Sequence, residues 1–156
     1  MVVVRVETYV GAPPEACFEA ARDITVHEQT CDGSGERAVA GRTSGPISLG
    51  ETVTFEARHF GIRQRLTSKI VEFDPPRLFV DEMQEGAFKR MRHVHEFHPD
   101  GSGTRMVDVL EFESRLGPLG WIVDRLVLKG YMRRFVEKRN RALKGYIESA
   151  GKPASD

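Results

Sequence analysis

The hydrophobic period of the chain changes once, at Gly117-Pro118. Before that point apolar residues alternate with polar ones in short runs. After it, Leu119, Ile122, Val123, Leu126, Met132, Phe135, Leu143, Tyr146 and Ile147 recur at mostly three- and four-residue intervals. The first pattern belongs to half-buried strands and the second to one amphipathic helix. A chain written in this order must lay a long helix, over about 119–149 and bent near Gly130, against a sheet made from what precedes it.

The strands can be placed by alternation. Residues 2–10 alternate and are β-branched, and Gly11-Ala12-Pro13-Pro14 stops them. Residues 15–22 and 23–29 read as two short helices, with Pro14 suited to the first turn of the first. Asp32-Gly33-Ser34-Gly35 is a turn. Six further strands are predicted at 36–43, 51–59, 62–73, 78–85, 88–97 and 104–113. Ser44-Gly45-Pro46, Phe60-Gly61, Asp74-Pro75-Pro76, Gly86 and Pro99-Asp100-Gly101-Ser102-Gly103 separate them. Links this short make antiparallel hairpins. The predicted class is therefore α+β: a curved antiparallel sheet of about seven strands wrapped around a long C-terminal helix, with two short helices after the first strand. The length of 156 residues suits one domain over 1–150, with 151–156 a flexible tail.

Composition excludes some functions. Lys+Arg and Asp+Glu both number 23, so the chain lacks the positive excess of a nucleic-acid binder. Arg125, Lys129, Arg133, Arg134, Lys138, Arg139, Arg141 and Lys144 crowd the last helix, and are expected on its solvated outer face. No apolar run is long enough for stable membrane insertion, and Arg5 and Glu7 interrupt the opening valines too soon for a signal peptide. Cys17 and Cys31 are expected as free thiols outside any Cys-x-x-Cys or Cys/His metal spacing, Cys31 in an exposed turn. A cytoplasmic protein is the expectation, and a homodimer stays open.

Alternation also assigns faces. With a two-residue turn at Phe60-Gly61, Phe55 faces Leu66 and Ala57 faces Gln64, which puts both apolar faces on one side. In RMRHVHEFHPDGSGTRMVDVLEF, residues 90–112, Met91, His93, His95 and Phe97 share a face, as do Met106, Asp108 and Leu110. If Phe97 pairs with Thr104, His95 faces Met106 and His93 faces Asp108. Asp81 falls on the same inner side. That face is too polar for a dry core, because buried carboxylates are costly unless paired. A ligand cavity lined by Phe55, Gln64, Leu66, Asp81, Met91, His93, His95, Met106, Asp108 and Leu110 would account for the mixture.

Two chemistries are open to the histidines. A His-x-His pair on a strand can bind zinc, but only Asp81, Asp108 and His98 lie near enough for a third ligand, so no metal and no cofactor is expected. His93 and Asp108 also fit a general base with its orienting carboxylate, and are the best candidates for a catalytic pair. No nucleophile accompanies them. A buried pair that fixes the cavity floor, with mutual attraction favouring the charged form of each, is the plainer expectation.

The order of elements, and GETVTFEARHFGIRQRLTSKIVEFDPPRLFVDEMQEGAFKRMRHVHEFHPDGSGTRMVDVLEFE within it, resembles the SRPBCC (START/Bet v-like) superfamily. The likeness is to its bacterial single-domain cyclase-like or ligand-binding branch, and GPLG and LKGYM in the last helix extend it. The resemblance implies the helix-grip fold and an apolar cavity beneath the C-terminal helix. It implies binding of a small hydrophobic molecule, a lipid or polyketide-like compound. An enzyme of the polyketide cyclase or dehydratase type using the same cavity is the alternative, and a ligand-free interaction module is a third. It assigns no catalytic pair residue by residue and implies no metal.

Overall fold

The computed structural model describes residues 1–152; positions 153–156 of the predicted tail lie outside the described residues. Strand β1 (Val2–Val10) leads into helix α1 (Pro14–Ala21), which starts on Pro14, and helix α2 (Ile24–Thr30). Asp23 caps α2 by accepting from the backbone N–H groups of Thr25 and Val26. After a single 3-10 turn (Asp32–Ser34) come β2 (Arg37–Gly41), β3 (Thr52–His59), β4 (Ile62–Asp74), β5 (Leu78–Glu85), β6 (Arg90–Asp100) and β7 (Gly103–Glu113). They form one antiparallel sheet in the order β1-β7-β6-β5-β4-β3-β2. Two bulges in the β4–β5 pair, one at Gln84 of β5 opposite Thr67-Ser68 and one at Val71 of β4, add bend and twist where the sheet must wrap.

The last third is one helical run in three parts: α3 (Gly117–Val123), a π turn (Asp124–Leu128) and α4 (Lys129–Ala150). Buried Asp124 accepts from the backbone N–H of Ser114 at 3.0 Å, which ties the π turn to the end of β7. α4 lies across the inner face: Val136 packs in one cluster with Val4 and Leu110, and Leu143 and Ile147 in the other with Val10 and Phe18. Lys144 Nζ donates to the Tyr9 carbonyl at 2.8 Å and Arg133 to the Arg5 carbonyl at 3.1 Å, which hold the helix over β1.

The β3–β4 register is as expected, Phe55 opposite Leu66 and Ala57 opposite Gln64. The β6–β7 register is not. Phe97 pairs with Met106, His95 with Asp108 and His93 with Leu110. β6 runs on through Pro99, which pairs with Thr104, and the turn shrinks to Gly101-Ser102. A Cβ at Gly103 would collide with the Val10 carbonyl and the Tyr9 hydroxyl, so this tight hairpin sits against β1 only with glycine there. A shift of two residues keeps every side chain on its face, which is why the inner set survives the correction.

The helix differs more. Its break is the π turn, not a bend at Gly130, and one extra residue in a helix rotates what precedes it by about 100°. Leu119, Ile122 and Leu126 point outward with Trp121; at about 100° per residue they already fall off the stripe of Met132 and Phe135 in sequence. Trp121 near the start of the helix is exposed, with the Arg125 guanidinium 4.8 Å over its ring. Cys31 is buried, not exposed, and Arg139 is 5% exposed, not on the solvated face.

Phe18 carries the packing of α1 on the sheet. It is fully buried and meets Phe73, Phe79 and Phe97 edge-on at centroid distances of 5.4, 5.6 and 5.5 Å. Phe18→Ala is expected to cost about 3–5 kcal/mol in urea unfolding, the loss typical of a buried ring that neighbours cannot replace. A loss below about 1 kcal/mol would show that α1 is not seated as described.

Candidate functional site

Curvature leaves a cavity of about 610 Å³ between the sheet and the last helix. Phe55, Leu66, Phe79, Met91 and Leu110 line the sheet side, and Met132, Phe135 and Val136 the helix side. Phe60 and Ile62 at the β3–β4 turn and Leu116 before α3 belong to the lining and are more than half exposed, so the cavity opens between them.

Of the expected lining residues, Phe55, Gln64, Leu66, Asp81, Met91, His93, His95 and Leu110 line this cavity. Met106 and Asp108 do not. Both are buried and lie deeper: Met106 packs in the core with Phe18, and Asp108 stands behind the histidines. They share the inner face, but β7 carries them beneath α4, where Leu143 and Asn140 cover the sheet.

Four side chains form one chain of contacts at the cavity floor. Asp81 Oδ2 lies 3.0 Å from His95 Nε2, and His95 Nδ1 lies 3.1 Å from Asp108 Oδ1. Asp108 Oδ1 also lies 2.9 Å from His93 Nε2. Asn140 donates to Asp108 Oδ2 at 2.6 Å, and the Arg139 guanidinium stands 3.9 Å from Oδ1. His95 stacks on Phe79 at 4.3 Å, and the two imidazoles are 3.8 Å apart.

The protons follow from these contacts. Burial alone would raise the Asp108 carboxyl, but hydrogen bonds from His93 and His95 hold it well below its ordinary range. Burial opposes Asp81 too, and the bond from His95 holds it down. Burial would lower His95, yet the bonds to Asp108 and Asp81 raise it. Facing a carboxylate on each ring nitrogen, His95 donates from both and is the imidazolium. His93 goes the other way: burial and the adjacent His95 charge push it down. The expected sharing of charge between His93 and Asp108 is thus corrected, because His95 takes the proton. Neutral His93 donates to Asp108 from Nε2, which leaves Nδ1 as the acceptor nitrogen.

The far wall holds residues that sequence reasoning missed. His27 Nε2 lies 3.1 Å from Glu36 Oε2 and 3.6 Å from Cys31 Sγ, and His27 and Glu36 both line the cavity. Burial opposes ionisation of Glu36, but the attraction and hydrogen bond of His27 bring it down to about 2. Burial pushes the Cys31 thiol far up. His59 Nδ1 shares a 2.6 Å hydrogen bond with the Tyr131 hydroxyl on the same lining. Arg139 also lines the cavity, and its Nε has no partner among the described residues. The His-x-x-x-Cys spacing, one helical turn, was the available signal for the first group.

A curved sheet gripping a long helix over a mostly apolar cavity defines a protein of the helix-grip class. The chain belongs to the family described as polyketide cyclase / dehydrase and lipid transport, whose model matches residues 1–148. No curated protein matches the chain significantly. Among solved structures it is similar to TTHA0849 from Thermus thermophilus, at 25% identity and TM-score 0.80 over 97% of this chain and 100% of that one. It is also similar to the Zhui aromatase/cyclase from Streptomyces sp. R1128, at 18% identity and TM-score 0.79 over 99% and 98%. A START superfamily protein from Mycobacterium smegmatis matches at 18% identity and TM-score 0.73 over 95% and 98%. The last two likenesses show the shared helix-grip fold. Among the described residues no helix is long and apolar enough to cross a membrane.

Proposed function

We propose that the protein binds one small hydrophobic molecule, a lipid or polyketide-like compound, in this cavity. The observation that carries the reading is a cavity of about 610 Å³ with mostly apolar walls and an organised polar cluster at its floor. Pockets of roughly 300–1,000 Å³ with few placed polar groups are the usual form of a small-molecule site. The ligand body packs on Phe55, Leu66 and Phe135, and its polar end meets His93 Nδ1 and the Arg139 guanidinium. An intracellular setting and exchange of ligand without membrane insertion belong to the same proposal.

A second reading rests on His93. A neutral imidazole whose tautomer is set by a buried carboxylate can take a proton from an acidic carbon or hydroxyl of the ligand. That is the step a cyclase or dehydratase needs.

Organic extraction of the purified protein, followed by mass spectrometry, is expected to release an apolar compound near one per chain. Leu66→Trp, which fills the cavity, is expected to abolish that compound and the fluorescence of added 1-anilinonaphthalene-8-sulfonate. Unchanged dye binding in Leu66→Trp would place the ligand elsewhere. Turnover of a polyketone that His93→Gln abolishes while dye binding persists would favour the enzyme.

A further inference from the structure

We propose that His27, Cys31 and Glu36 form a zinc site in the wall of the cavity, with one coordination position open towards the ligand. Sequence reading weighed only the inner-face histidines for metal, and this group stands apart from them.

Two separations within the group match those around a tetrahedral zinc ion. Zinc bonds of about 2.3 Å to sulfur and about 2.0–2.1 Å to nitrogen and oxygen, at tetrahedral angles, set N and O about 3.3 Å apart and S and N about 3.6 Å apart. His27 Nε2 lies 3.1 Å from Glu36 Oε2 and 3.6 Å from Cys31 Sγ, and the three ligand atoms all lie within 4.8 Å of one another. One N–H cannot point at both the carboxylate and the sulfur, whereas a cation between them faces all three. The other grouping with metal-ligand residues, Asp81, His93 and His95, has no such freedom, since both His95 nitrogens are spent on carboxylates.

The frame is held from outside. His27 and Cys31 sit one turn apart on α2 and its C-cap, so their side chains share a face. The His27 ring stacks on Phe55 at 4.5 Å. Glu28 accepts from the backbone N–H of Ala38 at 2.7 Å, which fixes α2 against β2 and so holds Glu36 opposite His27.

Charge balance favours a divalent ion. Zinc displaces the thiol proton, which leaves to solvent; the remaining His27 proton sits on Nδ1, and Nε2 gives its lone pair to the metal. One Zn²⁺, one thiolate and one carboxylate sum to zero, which suits a buried place. His27 and Glu36 line the large cavity, so the fourth position opens there, for a water or a ligand oxygen.

The test uses the full chain freed of metal by chelation and titrated with zinc chloride against a fluorescent zinc chelator. One equivalent is expected, with release of about one proton measured by calorimetry in buffers of different ionisation enthalpy. Cobalt(II) should give a thiolate-to-metal absorption band in the wild type. Cys31→Ser is expected to abolish that band and to weaken zinc by more than the about 10–100-fold that loss of an outer partner costs. His93→Gln should keep the zinc equivalent. Absence of stoichiometric zinc, a cobalt spectrum without the thiolate band, or an equivalent that survives Cys31→Ser would each overturn the proposal. The cobalt spectrum needs no variant, so misfolding of Cys31→Ser cannot mask the answer. The ligand-binding reading stands or falls separately, on Leu66→Trp.

Discussion

Asp108→Asn is expected to destabilise the fold by about 3–5 kcal/mol, the loss seen when one partner of a buried charge group is removed. Asp108 is 5% exposed and touches His93, His95, Asn140 and, at longer range, Arg139. Without its charge the His95 imidazolium keeps only Asp81, and Arg139 loses the one carboxylate within 4 Å of it among the described residues. The amide repairs the network only in part: with its oxygen facing the histidines its NH₂ meets Asn140, which can turn its unpartnered Oδ1 to accept, but no charge is left to face His95 and Arg139. Thermal and urea unfolding should agree, with a lowering of Tm on the order of 10 °C. A loss under about 1 kcal/mol would mean that water compensates the cations and that the cluster is not dry.

Stability is expected to fall steeply as acid is added, with Glu36 supplying a separable part. Its folded pKa is depressed from 4.5 to about 2. A depressed carboxyl stabilises the fold above its unfolded value and loses that contribution as pH falls through the folded one. The window is therefore about pH 4.5 down to about 2, and the contribution is on the order of 3 kcal/mol. Asp81 and Asp108, also lowered, act with the same sign. His95 acts oppositely: its raised pKa stabilises the fold below its unfolded value and fades as pH climbs through the folded one. His93, lowered, costs stability below its unfolded value and ceases to do so above it. Urea midpoints across pH, with chelator present, should show Glu36→Gln less stable than wild type at pH 6 and the two curves converging near pH 2. Parallel curves would assign the acid limb to other groups.

How much of this was legible depends on what kind of signal each residue gives. Alternation is strong, so the inner face of β3, β4, β6 and β7 could be read, and Phe60-Gly61 fixed the first hairpin. Pro99 read as a strand stop because it lacks an N–H, yet the strand passes through it, and the second register slipped by two. A π turn has no composition of its own, so nothing in Asp124–Leu128 announced it; that Leu119 and Leu126 face away from Met132 was readable, since thirteen and six residues at about 100° each put them on another side of the helix. Arg139 was lost within a run of basic residues whose other members suggest solvent. Cys31, beside Asp-Gly-Ser-Gly, looked exposed because burial beneath α4 is decided by packing far away in sequence. The polar residues of the cavity floor were visible as misfits on an apolar face. Those of the far wall were not, because His27 sits in a helix of only seven residues and Glu36 just before β2, runs too short to show a polar misfit.

The π turn also divides the labour of the last helix. Downstream of Leu128 its apolar residues are spoken for, since Met132, Phe135 and Val136 close over the cavity. Upstream, Leu119, Trp121, Ile122 and Leu126 owe nothing to the interior. One continuous helix thus carries two vocabularies, and the same Leu-to-Ala change means lost packing on one side of the turn and only a smaller greasy surface on the other. The outer half can drift in sequence, or be shaped to a new surface, without the cavity registering it.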